Sequence, residues 1–314
     1  MRYFVKKLCI MLVTLFVISL VTFWLFHIVP GDPAEMMLGT SASQEQLNNL
    51  RKELGLDRPL MVQYVDWVDG ALHKDLGKSI QYGKEVTKLL KGKLSVSLIL
   101  GGMALFLVIL IGIPLGVFTA GRKHAFSEQL LNFVNILGIS VPGFFLSILL
   151  IWVFGLVLHW FTPGRFIPFH RNPAKFFQFM IWPAIAIAIP QTCVLSKYIR
   201  TAVIEEVRSD YVRTARSKGS TKNRILYVHV LKNAIVSVVP LIGMIVSGIF
   251  SGSIVIEQVF GIPGIGRLLI ASVSARDYPI AQTLVMYIAI VILVVNFVVD
   301  IVIQILDPRI RISR

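Results

Sequence analysis

The chain has 314 residues, of which 55% are hydrophobic and 15% are charged, and its formal net charge is +14. This composition excludes an ordinary soluble domain and is typical of a protein that crosses a membrane several times. Both cysteines lie in apolar runs, so they predict no disulfide framework.

Long runs free of Asp, Glu, Lys and Arg predict six transmembrane helices. A helix needs about 20 apolar residues to cross a bilayer, and continuous apolarity excludes the alternating pattern of a membrane β-barrel. We therefore predict an all-α polytopic membrane protein with one transmembrane domain over residues 1–314. The runs cover approximately residues 8–29, 94–120, 130–158, 176–195, 234–256 and 279–299, and the last helix is expected to continue to residue 306.

The first apolar run, residues 8–29, is predicted to be a retained span. It is 22 residues long, which exceeds the apolar core of a signal peptide. It is followed by Pro30-Gly-Asp32 rather than by a small-residue cleavage site.

The segment of residues 30–93, called the outer segment below, is predicted to form a small helical cap. Ser43 and Gln46 fit a capping box at the start of a helix. Gly55 is expected to end that helix. Pro59 fits the first turn of a second helix, which we expect to run through Trp67. The first helix has leucines at helical spacing, namely Leu47, Leu50 and Leu54.

Gly77-Lys78-Ser79, in the same segment, invites comparison with a phosphate-binding loop. That loop requires a glycine five residues before Gly77, and position 72 is Leu. We therefore predict that this chain binds no ATP.

The segment of residues 197–234, called the inner segment below, is basic and is expected to form two short helices. Residues 210–218 are predicted to be helical, and Gly219 is expected to end the helix in a left-handed conformation. Ser220 or Thr221 can then cap the next helix. Two short helices with a bend would make a protruding knob, although an ordinary basic loop is the simpler alternative.

The distribution of charge predicts the orientation in the membrane. Seventeen of the 31 basic residues fall in the termini and the two segments that share their side, whereas the outer segment has nine basic and nine acidic residues. The positive-inside rule therefore places both termini, Lys123 and the inner segment in the cytoplasm. Because the excess charge is explained in this way, we do not predict binding to nucleic acid.

The inner segment resembles the coupling signature of ATP-binding cassette importer permeases. In that family the pattern is Glu-Ala-Ala, three residues, Gly, nine residues, then Ile-x-Leu-Pro. The corresponding residues here are Arg213-Thr-Ala215, Gly219 and His229-Val-Leu-Lys232. The chain departs from the pattern at Arg213, Thr214, His229 and Lys232, and its Arg-Thr-Ala-Arg-x-Lys-Gly form is similar to the peptide and nickel branch.

Segments along nearly the whole chain resemble the first-subunit type of this branch, which has a long loop after span one. They are Val29-Pro-Gly-Asp-Pro-Ala34, Leu54-Gly-Leu-Asp-Arg-Pro59 with Gln63-Tyr64 and Trp67, Asp75-Leu-Gly-Lys-Ser79, Ser140-Val-Pro-Gly-Phe144, Ile256-Glu-Gln-Val-Phe260, Pro263-Gly-Ile-Gly266 and Arg276-Asp-Tyr-Pro279. The resemblance implies the type I importer fold, a bacterial inner-membrane location and a non-enzymatic transport role.

The resemblance also implies partners. These are a related second permease that completes the path, two cytoplasmic ATPases that hold ATP and Mg²⁺, and an extracytoplasmic substrate-binding protein. This chain would hold no cofactor, metal or catalytic residue itself. The residues implied to couple it to the ATPases are Tyr211, Arg213, Thr214, Ala215, Arg216, Lys218, Gly219, Arg224, His229 and Leu231.

The substrate and the class of protein leave alternatives open. We expect di- or oligopeptides, because an uncharged path suits varied side chains; nickel or a metal chelate is the close alternative, and His159 and His170 share an outer loop that could meet a metal. An intramembrane enzyme would need paired acids inside the spans, where Asp300 stands out. A structural or sensing membrane protein is the alternative from another class, and an ion channel is an alternative within transport.

Two small-residue motifs, Gly112-x-x-x-Gly116 and Gly248-x-x-x-Gly252, lie within predicted spans. Such spacing lets helices approach closely. We expect packing within the chain rather than a dimer contact.

Overall fold

The computed structural model describes residues 2–28, 33–39, 42–53, 55–121 and 126–306. The chain divides into two compact units, which are described separately: Met1–Ser95 with Gly264–Leu293, and Val96–Pro263 with Val294–Arg314. Leu54, Lys123 and the basic residues after 306 lie outside the described residues. The prediction of one domain over residues 1–314 therefore stays a prediction.

The described residues form helices, and the only isolated bridge among them joins Lys78 to Glu85. In chain order the α-helices are α1 (Arg2–Ile28), α2 (Pro33–Leu38), α3 (Gln44–Glu53), α4 (Leu60–Leu72), α5 (Val86–Leu90), α6 (Lys93–Ala120), α7 (Phe126–Ser140), α8 (Gly143–Leu150), α9 (Pro173–Glu206), α10 (Asp210–Ser217), α11 (Lys222–Arg224), α12 (Leu231–Phe260), α13 (Ile265–Ser274) and α14 (Tyr278–Leu306). Two π-helical stretches, Ile151–Val157 and Ile225–Val230, follow α8 and α11.

Within the described residues, five helices are long and apolar enough to cross a membrane, and one bent pair can supply a sixth span. The five are Phe4–Ile28, Val86–Ala120, Pro173–Glu206, Lys222–Phe260 and Tyr278–Leu306. The all-α, six-span prediction is confirmed in this form, and each predicted span overlaps one of these elements.

The third span is broken rather than continuous. Its two parts, Asn132–Ser140 and Gly143–Val157, are bent by 97°. Pro142 has no N–H to donate, and it disfavours the helical conformation at Val141. Pro142 is instead the cap of the second part, with φ −62° and ψ 140°. The helix therefore ends at Ser140 and restarts at Gly143.

The larger unit has a core of close-packed helices in which α9 and α12 are central. Glycines of α6 permit a close approach to α9: a Cβ at Gly112 would lie 3.0 Å from Leu195, and one at Gly116 would lie 2.6 Å from Ile199. A Cβ at Gly248 would meet the side chain of Gln191 at 2.6 Å. Gly112, Gly116 and Gly248 therefore serve packing within the chain, as predicted, whereas a Cβ at Gly252 would meet no atom within 4 Å.

The smaller unit contains the predicted helical cap. Ser43 and Gln46 form the capping box, since the N–H of each donates to the other's side-chain oxygen at 3.0 and 3.2 Å. Gly55 ends the helix with φ +66°. The predicted end of the second helix at Trp67 is wrong, because α4 continues to Leu72. Nothing at Trp67 breaks the helix, whose hydrogen-bonding reaches the His73 N–H.

A buried carboxylate joins distant parts of this unit. Asp277 is fully buried and accepts hydrogen bonds from Ser79 Oγ at 2.5 Å, Gln81 N at 3.1 Å and Ile80 N at 3.2 Å. Ser79 therefore binds a side chain of its own protein. This contact brings the segments 75–79 and 276–279 together in the fold.

Candidate functional site

The inner segment begins where α9 leaves the core. α9 ends at Glu206, a short turn follows, and α10 starts at Asp210 with Ser209 as its cap. Val212 on α10 is 1% exposed and packs into the core of the larger unit. The side chains that hold the following turn are also buried, namely Ile225, Leu226 and Val230. These apolar anchors fix one face of the knob.

Gly219 ends the first knob helix as predicted. Its φ is +78°, a left-handed conformation that favours glycine. The Gly219 N–H donates to Arg216 O at 2.9 Å, and the Ser220 N–H donates to Ala215 O at 3.2 Å. Thr221 caps the next helix by accepting from the Arg224 N–H at 3.4 Å. The sequence-based prediction of helix, glycine turn and cap is confirmed.

The opposite face of α10 is exposed and positively charged. Arg213, Arg216 and Lys218 are exposed, and within the described part of the chain no carboxylate pairs with them. Residues 207–232 include seven basic residues and one acid. A surface of one sign attracts an acidic partner, and its attraction weakens as salt increases.

A small polar cluster lies beneath this face. The Tyr211 hydroxyl donates to Glu206 Oε1 at 2.8 Å and lies 3.5 Å from His229 O. The Asn233 amide reaches the same Glu206 oxygen at 3.5 Å. Burial raises the pKa of Tyr211, and the neighbouring Glu206 raises it further. The cluster ties α10 to the end of α9 and the start of α12.

A second tie connects the knob to the end of α6. Lys222 Nζ donates to Gly121 O at 2.5 Å. The carbonyls at a helix C-terminus lack helical partners and carry partial negative charge, which suits an ammonium group. Lys222 was not among the predicted coupling residues, and this contact gives it a structural partner within the chain.

The predicted coupling residues divide into two sets. Tyr211, Ala215, His229 and Leu231 are half-buried on the inner side of the knob. The remaining six are exposed: Arg213, Thr214, Arg216, Lys218, Gly219 and Arg224. The exposed set is therefore the more accessible to another protein. The buried anchors Val212, Ile225 and Leu226 were missed, although their spacing around Gly219 could have indicated two apolar faces.

His229 lies in the π-helical stretch Ile225–Val230. π-helical turns widen a helix locally and are frequent at functional sites. Because this stretch connects α11 to α12, the knob is continuous with a span through residues 222–260.

Two acids near the spans have contrasting settings. Glu257, in α12, is fully buried and accepts a hydrogen bond from Ser97 Oγ at 2.5 Å. Sequence analysis missed it because the apolar run ends at Ile256. Asp300 is half-buried in α14. The sequence analysis singled out Asp300, while the more deeply buried acid is Glu257.

The two outer-loop histidines give no group suited to holding a metal. His159 Nδ1 lies 3.1 Å from its neighbour Val157 O. Among the described residues, no three His, Cys, Asp or Glu side chains come together in an arrangement that could hold a metal ion. A shallow cavity beside His159 is lined mainly by the aromatic side chains of Trp160 and Trp182.

Comparison with known protein families agrees with this architecture. Residues 112–312 match the family model described as "Binding-protein-dependent transport system inner membrane component". Residues 1–100 match the model for the N-terminal part of such membrane components. The chain belongs to this family of binding-protein-dependent transport permeases. It is accordingly a multi-pass inner-membrane subunit of a transport complex that contains other subunits.

Several relatives share this family over their whole length. A protein named as a peptide transport system permease from Brucella abortus is 36% identical over 98% of each chain. A protein named as a peptide ABC transporter permease from Sinorhizobium fredii is 32% identical over 98% of this chain and 99% of its own. The oligopeptide transport system permease protein AppB of Bacillus subtilis is 31% identical, with the same coverage.

Proposed function

We propose that this permease imports di- or oligopeptides, driven by ATP hydrolysis on two separate cytoplasmic ATPases that bind ATP and Mg²⁺. A second, related permease would complete the path, and an extracytoplasmic binding protein would deliver the substrate. Support for the substrate class comes from relatives that are named as peptide permeases and align over 98% of this chain. The alternative substrate class is nickel or a metal chelate.

The knob formed by α10 and Gly219 is the proposed docking point for an ATPase. One observation carries this proposal: the face of α10 opposite Val212 is exposed and cationic, and within the described residues its arginines lack acidic partners. A side chain whose charge is paired within its own chain has little to offer a partner. Arg213 and Arg216 lie one turn apart, so both can meet the same acidic surface.

The motor-docking proposal is tested with charge and backbone variants. The tagged permease is purified with its native complex from its own cells, and the recovered ATPase is quantified. We expect Arg216→Glu to reduce ATPase recovery and peptide uptake, with a difference from the wild type that is largest at low salt and shrinks as salt is raised. Arg216→Lys keeps the charge and should retain most of both.

Substitutions at Gly219 test the role of its backbone conformation in the same experiment. Gly219→Val places a β-branched residue at φ +78°, which is strained, while Gly219→Asn tolerates the left-handed conformation. We expect normal membrane insertion for both and defective coupling only for the valine variant. If Gly219→Val and Arg216→Glu both transport at the wild-type rate with an intact complex, the knob is only a loop.

The proposed topology has both termini and the inner segment in the cytoplasm. The uneven distribution of basic residues predicts this topology. It is tested on intact cells that carry single-cysteine variants, with a membrane-impermeant thiol reagent. We expect Ser43→Cys to react and Ser217→Cys to react only after permeabilisation. The reverse pattern would overturn the orientation.

Substrate class is tested by uptake in a strain that lacks this permease. Complementation with the wild-type gene should restore accumulation of a labelled di- or oligopeptide, and excess unlabelled peptide should compete. Restoration of nickel accumulation without peptide uptake would assign the chain to the metal alternative.

A further inference from the structure

α4 packs against α1 at a level inside the membrane span. The Tyr64 hydroxyl and Ser19 Oγ are 2.7 Å apart, and both residues are 7% exposed. The Phe23 ring lies 5.4 Å from that of Tyr64 and 6.2 Å from that of Trp67. α1 itself is a candidate span that is apolar along most of its length. The contact therefore involves the transmembrane part of α1 rather than a loop beyond it.

The depth of this contact follows from helix geometry. Ser19 precedes the end of α1 at Ile28 by nine residues, which at 1.5 Å per residue is about 14 Å along the helix axis. Half of the hydrocarbon core of a bilayer is about 15 Å thick. Tyr64 therefore reaches the interior of a leaflet. α4, to which it belongs, lies at or below the level where α1 leaves the membrane.

The exposed side chains of α4 form an apolar stripe. Met61 is 64% exposed, Val65 is 60% exposed and Leu72 is 77% exposed. Positions four and seven residues apart fall on one face of a helix, and Val68 lies on the same face. At 100° per residue this stripe is centred about a quarter turn from the Tyr64 and Trp67 face that packs on α1.

The remaining face of α4 carries its polar side chains, together with Val62, which is 41% exposed. Asp66 accepts from Arg58 at 3.0 Å, and Asp69 lies 3.5 Å from His73. The Gln63 amide donates to Arg58 O at 2.8 Å. One helix thus presents a face to α1, an exposed apolar face and a polar face. A helix that lies in a membrane interface has this arrangement, with aromatic residues at the boundary.

The surface of α1 at the same level is also exposed and apolar. Val21 is 52% exposed, Leu25 is 59% exposed and Ile28 is 71% exposed. These residues cover the last two turns of the span on the side of α1 that faces away from α4, since Phe23 lies about 200° around the helix from Val21. A spanning helix must place this surface in lipid, so lipid reaches the level at which α4 packs on the other side of α1.

We propose that α4 is an interfacial membrane helix, whose stripe of Met61, Val65, Val68 and Leu72 contacts lipid acyl chains. Its partner is the bilayer, in the leaflet that holds the C-terminal half of α1. Asp66 and Asp69 face the headgroups and water. The outer segment is then a membrane-embedded structure that braces α1 from within the leaflet, rather than a cap suspended in solvent.

Spin-label accessibility tests this assignment. Nitroxide labels are attached to Met61→Cys, Val65→Cys and the polar-face control Asp69→Cys, in the full-length chain with Cys9→Ser and Cys193→Ala. The protein, with its co-purifying subunits, is placed in phosphatidylcholine and phosphatidylglycerol vesicles. Oxygen partitions into lipid, whereas the nickel chelate NiEDDA stays in water, so their collision rates separate lipid from solvent.

We expect the ratio of oxygen to NiEDDA collisions to be several-fold higher at positions 61 and 65 than at 69. High NiEDDA accessibility at 61 and 65 would show a solvent-exposed cap and overturn the proposal. Low accessibility to both reagents would show that another protein chain covers the stripe, and would overturn it equally. Elution of each variant at the wild-type volume in size-exclusion chromatography confirms that the fold is retained. The result does not depend on which substrate the permease carries.

Discussion

The outer and inner segments are both short helices between long apolar ones and both bury apolar side chains, but they differ in the part that a buried polar group plays. In the outer segment, the buried carboxylate of Asp277 gathers the turn at residues 79–81 through three hydrogen bonds. In the inner segment, apolar side chains such as Val212 and Ile225 are buried. The polar cluster around Glu206 lies nearer the surface and only supports that packing.

The two segments also differ in how far their charged side chains are paired. The outer segment has nine basic and nine acidic residues, and several pair with one another, as Arg58 does with Asp66 and Lys88 with Glu85. The inner segment buries its apolar side chains and leaves its positively charged side chains exposed. A segment that satisfies its own charges is suited to a structural role. A segment that leaves them exposed is suited to an electrostatic partner.

The largest expected effect is the loss of stability when the buried hydrogen bonds of Asp277 are removed. Asp277→Ala removes a fully buried acceptor and leaves Ser79 Oγ and two backbone N–H groups unsatisfied. Loss of hydrogen bonds to a buried charged group should cost about 3 kcal/mol of stability. Limited trypsinolysis at Lys78 and Lys84 should accelerate strongly, and thermal unfolding in detergent should occur at lower temperature.

Asp75→Asn is the matched control for Asp277→Ala. Asp75 Oδ1 accepts from the nearby Gly77 N–H at 3.0 Å, and Asp75 is exposed. Its replacement should change neither the digestion rate nor the unfolding temperature appreciably. Equal sensitivity of the two variants would show that the outer segment does not depend on its buried carboxylate.

The next effect concerns α6, which packs closely against α9, the helix that leads into the inner segment. Gly116→Ala places a Cβ 2.6 Å from Ile199 and 2.7 Å from Ser196 O, and the backbone oxygen cannot move aside cheaply. Overpacking of this kind should cost about 2 kcal/mol. Gly102→Ala, in the same helix, is the control, because no atom lies within 4 Å of its added methyl group. A thermal shift in both variants alike would contradict the close α6–α9 contact.

A smaller effect should follow from the apolar anchor of the knob. Val212→Ala removes two carbon atoms from a site that is 1% exposed, which should cost about 1.5 kcal/mol. Hydrogen exchange of amides in residues 210–220 should then accelerate about tenfold, if they exchange through local opening. Val228, which is 56% exposed, provides the control: exchange after Val228→Ala should match the wild type.

Local chemistry made much of this architecture predictable. The capping box at Ser43, the stop at Gly55 and the left-handed Gly219 depend on near neighbours in sequence. The six apolar runs are likewise properties of short stretches. Glu257 and Asp277 were missed, because their partners Ser97 and Ser79 are far away in sequence. The 97° break at Pro142 was also missed, since proline within a span allows either a mild kink or a complete stop.

The smallest expected effect tests whether polar contacts in the inner segment are secondary to its packing. Tyr211→Phe removes the hydroxyl that donates to Glu206 at 2.8 Å, which should cost roughly 1 kcal/mol or less. Because burial raises the pKa of Tyr211 above its ordinary value of 10.0, the folded state holds the phenolic proton more tightly. The wild-type knob should therefore be stable below pH 10 and lose stability as pH rises through the folded pKa. Tyr211→Phe should remove this loss, whereas Tyr227→Phe, at a residue that is 46% exposed, should not. Hydrogen exchange and tyrosine absorbance, followed between pH 9 and 12, would measure this loss of stability. A larger loss of stability for Tyr211→Phe than for Val212→Ala would show that polar contacts stabilise the inner segment more than apolar packing does.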